Sequence, residues 1–245
     1  MTGKAKASPS PGTGQARARE PRTRESAAGE AGTGEPGKTG TRRRSLRRDA
    51  LQTREALLDA AGRIIPVQGQ AFGLPDVARE AGLGMATVYR HFADVPQLLE
   101  EYQARVIRDL TSALRAVPRD VDARQQFRLM CARWVDKAGQ WGPAAVRIRS
   151  HLGVLDRLRQ GDPRIAELYA TLEPVIRAMV AEGQIPEQPV DYAVLMWVTI
   201  FDERIILELR QTMRLTRSQT ADRLAAAALA ILDSARADVG QRAAG

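Results

Sequence analysis

At 245 residues, with 44% hydrophobic but only 4% aromatic side chains, the chain can hold one small and one medium domain, and its composition suits a helical protein rather than a β-sandwich. Its single cysteine, Cys131, excludes an internal disulfide framework and any zinc site built from several thiolates. The net charge of +8 is concentrated at one end: residues 1–48 carry 12 Lys or Arg against 4 Glu, which leaves the remainder close to neutral.

Up to about Thr41 the chain consists largely of Gly, Pro, Ser, Thr, Ala and charged residues, with hardly an apolar side chain. Such a segment cannot bury enough surface to offset chain entropy, so residues 1–44 are expected to form a disordered basic tail. The tail runs into TRRRSLRR, residues 41–48, whose Arg42, Arg43, Arg44, Arg47 and Arg48 are candidate contacts to phosphates or to a minor groove. A solvated charge run at a terminus is the plain alternative. The N-terminus carries no apolar signal segment, and no run approaches the roughly 20 apolar residues of a membrane helix. The longest strongly apolar stretch, residues 192–201, ends in Asp202, Glu203 and Arg204. A cytoplasmic protein without a membrane partner is expected.

The next element, TREALLDAAGRII over residues 53–65, carries a stripe of Leu57, Leu58, Ala61, Ile64 and Ile65. Pro66 follows in its last turn, where the ring would clash with the Gly62 carbonyl, so a kink or an early end is expected. Residues 74–92 then read LPDVAREAGLGMATVYRHF, two short helices joined by a glycine-containing turn. Asp76 lies in the first turn of the first, where a carboxylate meets unpaired amides and the positive end of the dipole. Leu74, Val77, Ala78 and Ala81 recur at helical spacing, with Arg79 and Glu80 facing water. Gly82 can adopt positive φ and stop this helix without strain. After the turn, Val88 and Phe92 sit four apart and can pack inward. Met85, Ala86, Thr87, Tyr89, Arg90 and His91 divide between packing and an outward surface of donors that suits a groove lined by phosphates and base edges. Together these two helices spell a helix-turn-helix.

The segment from Arg54 to about Leu99 resembles the DNA-binding domain of the TetR family of bacterial transcriptional regulators. The 53–65 helix is similar to that family's first helix, and VYRHF, residues 88–92, to its most recognisable signature. The pair Leu98 and Leu99 falls where its fourth helix begins. Gly73 replaces the usual hydroxyl-bearing cap, and Val95 stands where the family commonly has a phosphate-gripping lysine. The resemblance spans about 50 residues and implies an all-α fold, with an N-terminal three-helix helix-turn-helix domain (45–94) ahead of a C-terminal helical ligand-binding and dimerisation domain (95–238) and a disordered end (239–245).

From Val95 onward the pattern is helix after helix, expected over 95–116, 121–138, 143–159, 163–182, 190–212 and 217–237. Breaks are marked by Pro118, by Gly142 with Pro143, by Gly161, and by IPEQP over 185–189, while Pro174 interrupts one helix. Residues 190–210 are apolar nearly all round over the first half, and such a helix must be covered on every side. The alanines of the last helix permit close approach. The resemblance implies that these two helices pair with their copies in a homodimer. It also implies that Met130, Trp134, Trp141, His151, Tyr169, Met179, Trp197 and Phe201 lie on helices enclosing a small-molecule cavity, although each also suits a helical core. The ligand implied is apolar or amphipathic.

With two histidines and one cysteine, the chain offers no paired-histidine metal spacing, no phosphate-cradling glycine loop and no nucleophile elbow. No catalytic residue, metal or cofactor is expected. The function expected is that of a sequence-specific regulator, a repressor released from a palindromic operator in duplex DNA by a small molecule. Met85, Ala86, Thr87, Tyr89 and Arg90 would approach the major groove, with Tyr89, His91 and Arg54 holding phosphates. The alternative is a non-specific DNA-binding or helical interaction protein that uses the basic tail.

Overall fold

The structure, a computed structural model, describes residues 38–69, 71–148, 150 and 152–243, with side chains within 44–234. The chain divides into two units, Met1–Arg44 and Ser45–Gly245. In the first, the described backbone is helical: α1 spans Lys38–Gln68, so it begins inside the segment expected to be disordered.

Among the described residues every regular element is a helix, in the order α1, α2 (Leu74–Ala81), α3 (Met85–His91), α4 (Val95–Arg115), α5 (Ala123–Ala145), α6 (Val154–Arg159), α7 (Pro163–Ala181), α8 (Val190–Ile200), α9 (Glu203–Leu207) and, after a π-helical turn at Glu208–Thr212, α10 (Arg217–Ala243). From residue 57 to residue 232 the buried apolar side chains form one continuous cluster. The helix-turn-helix segment and the larger helical part therefore share a core.

Local signals account for most helix boundaries. Gly82 adopts φ 66°, and its successor's amide, Leu83 N–H, closes α2 by donating to the Ala78 carbonyl at 2.9 Å. Ahead of α2, Gly73 has no side chain to cap with, but its own amide donates to Asp76 Oδ2 at 2.9 Å. At α4, Asp94 Oδ1 accepts from Gln97 N–H at 2.8 Å while Gln97 Oε1 accepts from Ala93 N–H at 2.7 Å. Asp122 caps α5 and Asp162 caps α7 through amides of the first turn.

Tertiary packing overrode the sequence reading at several places. Pro66 lies inside α1, which ends only at Gln68, and Pro174 lies inside an unbroken α7. The break expected at Gly142 and Pro143 is absent: α5 runs through both to Ala145. A mid-helix proline costs about 3 kcal/mol. Ile64 and Ile65 ahead of Pro66, Trp141 and Ala144 around Pro143, and Leu172, Val175 and Ile176 around Pro174 are all buried, and that burial offsets the cost. In place of one helix over 143–159 there is a turn and the short α6. The single helix expected over 190–212 is broken at Asp202, whose Oδ1 accepts from Arg204 N–H at 2.8 Å and starts α9 afresh. The backbone of α10 is helical to Ala243, beyond its expected end at residue 237.

α8 is not covered on every side within the described residues. Ala193, Val194 and Trp197 are buried, whereas Tyr192 is 40% exposed and Leu195 and Met196 are half-buried. On α10, Leu224, Ala225, Ala228 and Leu229 point inward and Ala226, Ala227 and Ala230 outward.

Candidate nucleic-acid interface and apolar cavity

α3 is a seven-residue helix whose orientation is set by what it buries. Val88 and Phe92 are completely buried, and Met85 packs partly against the same core. With Val88 and Phe92 turned inward, Ala86, Tyr89 and Arg90 are exposed, Tyr89 at 57%, with Thr87 and His91 half-buried beside them. Arg90 Nη2 donates to Thr87 Oγ1 at 3.0 Å, one helical turn back. The guanidinium is thereby held along the outward face with most of its N–H fork uncommitted. Burial lowers the His91 pKa below the ordinary histidine value, and the positive charges of Arg54 and Arg90 lower it further.

Arg54 serves α3 from behind. Its Nη1 donates to the His91 carbonyl at 2.9 Å, its Nη2 lies 3.2 Å from Glu101 Oε1, and its guanidinium carbon stacks 4.6 Å from the centre of the Phe92 ring. One α1 side chain thus ties the C-terminus of α3 to α4. The sequence reading gave Arg54 a phosphate; in the structure its Nη1 and Nη2 meet His91 and Glu101. Arg44, Arg47 and Arg48 are exposed on α1. The side chains of Arg42 and Arg43 lie outside the described residues.

A second set of contacts joins α1 to α4. Arg105 Nη1 donates to Asp59 Oδ1 at 2.7 Å and to Glu55 Oε2 at 3.3 Å, and Nη2 to the Leu58 carbonyl at 3.3 Å. Its guanidinium lies over the Tyr102 ring at 5.1 Å. Gly62 allows the close approach: a Cβ there would meet Tyr102 Oη at 2.9 Å and Cε2 at 3.0 Å. The middle of α4 is therefore fixed to α1, while Gln103, Val106, Ile107 and Leu110 of the same helix line a cavity.

That cavity, of about 160 Å³, lies among α4, α5, α6, α7 and the α8–α9 corner. Of the eight candidate ligand residues, Trp134 and Trp141 line it. Met130 borders a separate open groove between α4, α5 and α7. Trp197 and Phe201 are core: Trp197 packs on Phe127 with ring centres 4.4 Å apart, and Phe201 on Trp134 at 5.6 Å. Met179 is completely buried among core residues. Tyr169 Oη donates to Asp191 Oδ1 at the start of α8, and burial together with that carboxylate pushes its pKa up to about 12. His151 lies outside the described residues. The sequence reading missed Val106, Leu110, Ile165, Leu168, Arg157 and Glu203, which also line the cavity. The i, i+4 spacing of Val106 and Leu110 marks a buried face, but only packing tells which side of that face meets a void. Burial also pushes up the pKa of Cys131, leaving it an inert thiol in the core.

No family model matches the chain, and no curated protein does. Solved structures do. The fatty acid degradation regulator FadR from Bacillus halodurans is 14% identical, with a TM-score of 0.60 over 72% of this chain and 94% of that one. A putative TetR-family regulator from Vibrio parahaemolyticus is 19% identical, with a TM-score of 0.56 over 74% and 98%. LfrR from Mycobacterium smegmatis, a TetR-like regulator solved with proflavine, is 20% identical, with a TM-score of 0.54 over 74% and 96%. With α3 presented as a recognition helix, α4 joining it to a helical domain and these structures superposing along most of their length, the chain has the TetR-family fold.

Proposed function

We propose that this protein is a sequence-specific DNA-binding transcriptional regulator, a homodimeric repressor released from its operator by a small molecule. The observation that carries the reading is α3: Val88 and Phe92 anchor it, Arg54 braces it, and Thr87, Tyr89 and Arg90 stand on its outward face. Arg90 reads a base, Met85, Ala86 and Thr87 approach the major groove, Tyr89 and His91 meet phosphates, and the arginines at 42–48 add backbone contacts. The incompletely covered faces of α8 and α10 support pairing with a second copy, and two readers related by a two-fold axis suit half-sites about 34–36 Å apart. A ligand in the cavity acts through α4, whose middle is clamped to α1 by Arg105 and Tyr102. Only its difference in affinity between the two shapes of the protein can do this, and couplings of about 1–3 kcal/mol change affinity roughly 5–150-fold.

Selection of bound sequences from random duplex DNA at about 0.15 M salt tests the reading. The expected result is a palindromic motif with half-sites about one turn apart and a preference of about 10³ or more over random DNA. Binding without enrichment would instead support a non-specific protein working through its basic tail.

A further inference from the structure

Two voids flank α4. One side of the helix, at Val106, Ile107 and Leu110, lines the cavity of about 160 Å³, and the other, at Tyr102, Arg105 and Arg108, lines an open groove of about 690 Å³ shared with α1 and the last turns of α5. Among the described residues Trp141 alone lines both. It is buried, at 8% exposure, yet no described group accepts a hydrogen bond from its indole N–H, so packing alone holds it. The turn of α5 that carries it is soft: Pro143 has no N–H to donate to the Gly139 carbonyl, and Gly139 and Gly142 are weak helix formers. α4 is stiff by comparison. Arg105 ties it to Asp59, Glu55 and the Leu58 carbonyl of α1, and the Gly62 backbone leaves no slack beside Tyr102. A body entering the cavity therefore displaces the indole before it displaces α4. A side chain with space on two sides has two arrangements to choose between, which is what coupling between distant sites requires. On the groove side the indole arrives beside Tyr102 and Arg105, which set the register of α1 on α4, and α1 carries Arg54, whose Nη1 holds the His91 carbonyl at the end of α3.

We infer that Trp141 is the moving part that carries occupancy of the cavity to the reader: a bound molecule drives its indole toward the groove, where it loosens the Tyr102 and Arg105 contacts that seat α1 on α4. This rests on the reading of the protein as a ligand-responsive regulator and names the residue through which the response travels.

The test fills the cavity from α6 and α7, neither of which borders the groove, by the paired substitutions Val154→Phe and Ile165→Phe. Val198→Phe, from α8, is a second filling should urea denaturation show that the pair does not fold. The full chain is labelled with fluorotryptophan, and of its three fluorine NMR signals that of Trp141 is identified by its loss in Trp141→Phe. Filling is expected to raise the isotope shift of the Trp141 signal between light and heavy water, because the indole moves toward the open groove, and to leave that of Trp197 in solid core unchanged. Affinity for the selected operator is expected to fall about 10-fold or more, whereas in a Trp141→Ala background the same filling is expected to cost less than about 3-fold. Because each cost is a ratio taken within one background, any effect of Trp141→Ala by itself cancels. A fall in affinity with the Trp141 signal unmoved, or a fall of the same size without the indole, overturns the role of Trp141 and leaves ligand-controlled release standing. Operator affinity unchanged by either filling overturns control through this cavity, and the role of Trp141 with it.

Discussion

Two arginines on opposite sides of α3 have different duties. Arg90, held by Thr87 on the exposed face, meets a guanine edge bidentately in the proposed reading. Arg90→Ala is expected to lose about 1–3 kcal/mol of discrimination at one operator position while other positions keep theirs, as measured on a set of single-base operator variants. An equal loss on every sequence would make Arg90 a phosphate clamp. Arg54 spends its donors on the His91 carbonyl and Glu101. Arg54→Ala should therefore weaken operator binding by loosening α3 without changing the salt dependence, whereas loss of a true phosphate contact lowers the slope by about 1. A lowered slope would return Arg54 to the DNA. Asp162 has a third role. Burial alone would raise its pKa, but hydrogen bonds from Arg164 and Arg157 outweigh that and hold it far below the usual carboxylate range. Its folded pKa is depressed, so its contribution to stability is complete above the unfolded value of about 3.9 and fades as the pH falls below it. Asp162→Asn is expected to lower the thermal midpoint at pH 7, with the gap to the native protein narrowing below about pH 4. A gap of constant size would mean that the Asp162 charge contributes nothing.

Among the elements, α4 is the one whose two halves do different work. Its first half meets α1 at Gly62, Arg105 and Tyr102; its second half supplies Val106 and Leu110 to the cavity. A methyl group at position 62 would sit 2.9 Å from Tyr102 Oη and within about the same distance of the ring, so something must move. Gly62→Ala is expected to cost roughly 1–3 kcal/mol of stability by overpacking and to weaken operator binding as α4 shifts against α1. Adding Tyr102→Phe removes only the hydroxyl contact, so a partial recovery is expected in urea denaturation. A double variant no better than Gly62→Ala alone would place the strain elsewhere. The Arg105 contacts with Glu55 and Asp59 are partly exposed and contribute less to stability than to the register of the two helices.

For the whole molecule, charge is distributed unevenly along the chain. The first 48 residues account for the entire net charge, and five arginines crowd residues 42–48. Removing residues 1–44 is expected to flatten the dependence of operator affinity on salt while leaving the preferred motif unchanged, because phosphate contacts position a protein without reading sequence. An unchanged slope would show that the tail stays off the DNA. The shared core gives the larger part of the chain a physical route to the reader, since packed side chains run without interruption from Leu57 to Leu232.

By itself the sequence determined the local events. The helix-turn-helix was legible because its signals are short-range: Asp76 in the first turn of α2, Gly82 at a positive φ, and Val88 with Phe92 one turn apart. The sequence left open how the other residues of α3 divide between packing and the outward face, and packing exposed Ala86, Tyr89 and Arg90. Tertiary structure decided what depends on distant partners. Three prolines stayed inside helices because burial of neighbouring side chains outweighed a lost hydrogen bond, and Asp202 broke a helix that looked continuous because its carboxylate caps the next one. It decided that Arg54 braces α3, since Glu101 lies 47 residues away and only folding brings it to 3.2 Å. It also sorted the candidate ligand residues, placing Trp134 and Trp141 at the void and Trp197, Phe201 and Met179 in solid core. All five are large and apolar on helical faces, and a cavity is defined by where several helices fail to touch, which no single helix encodes.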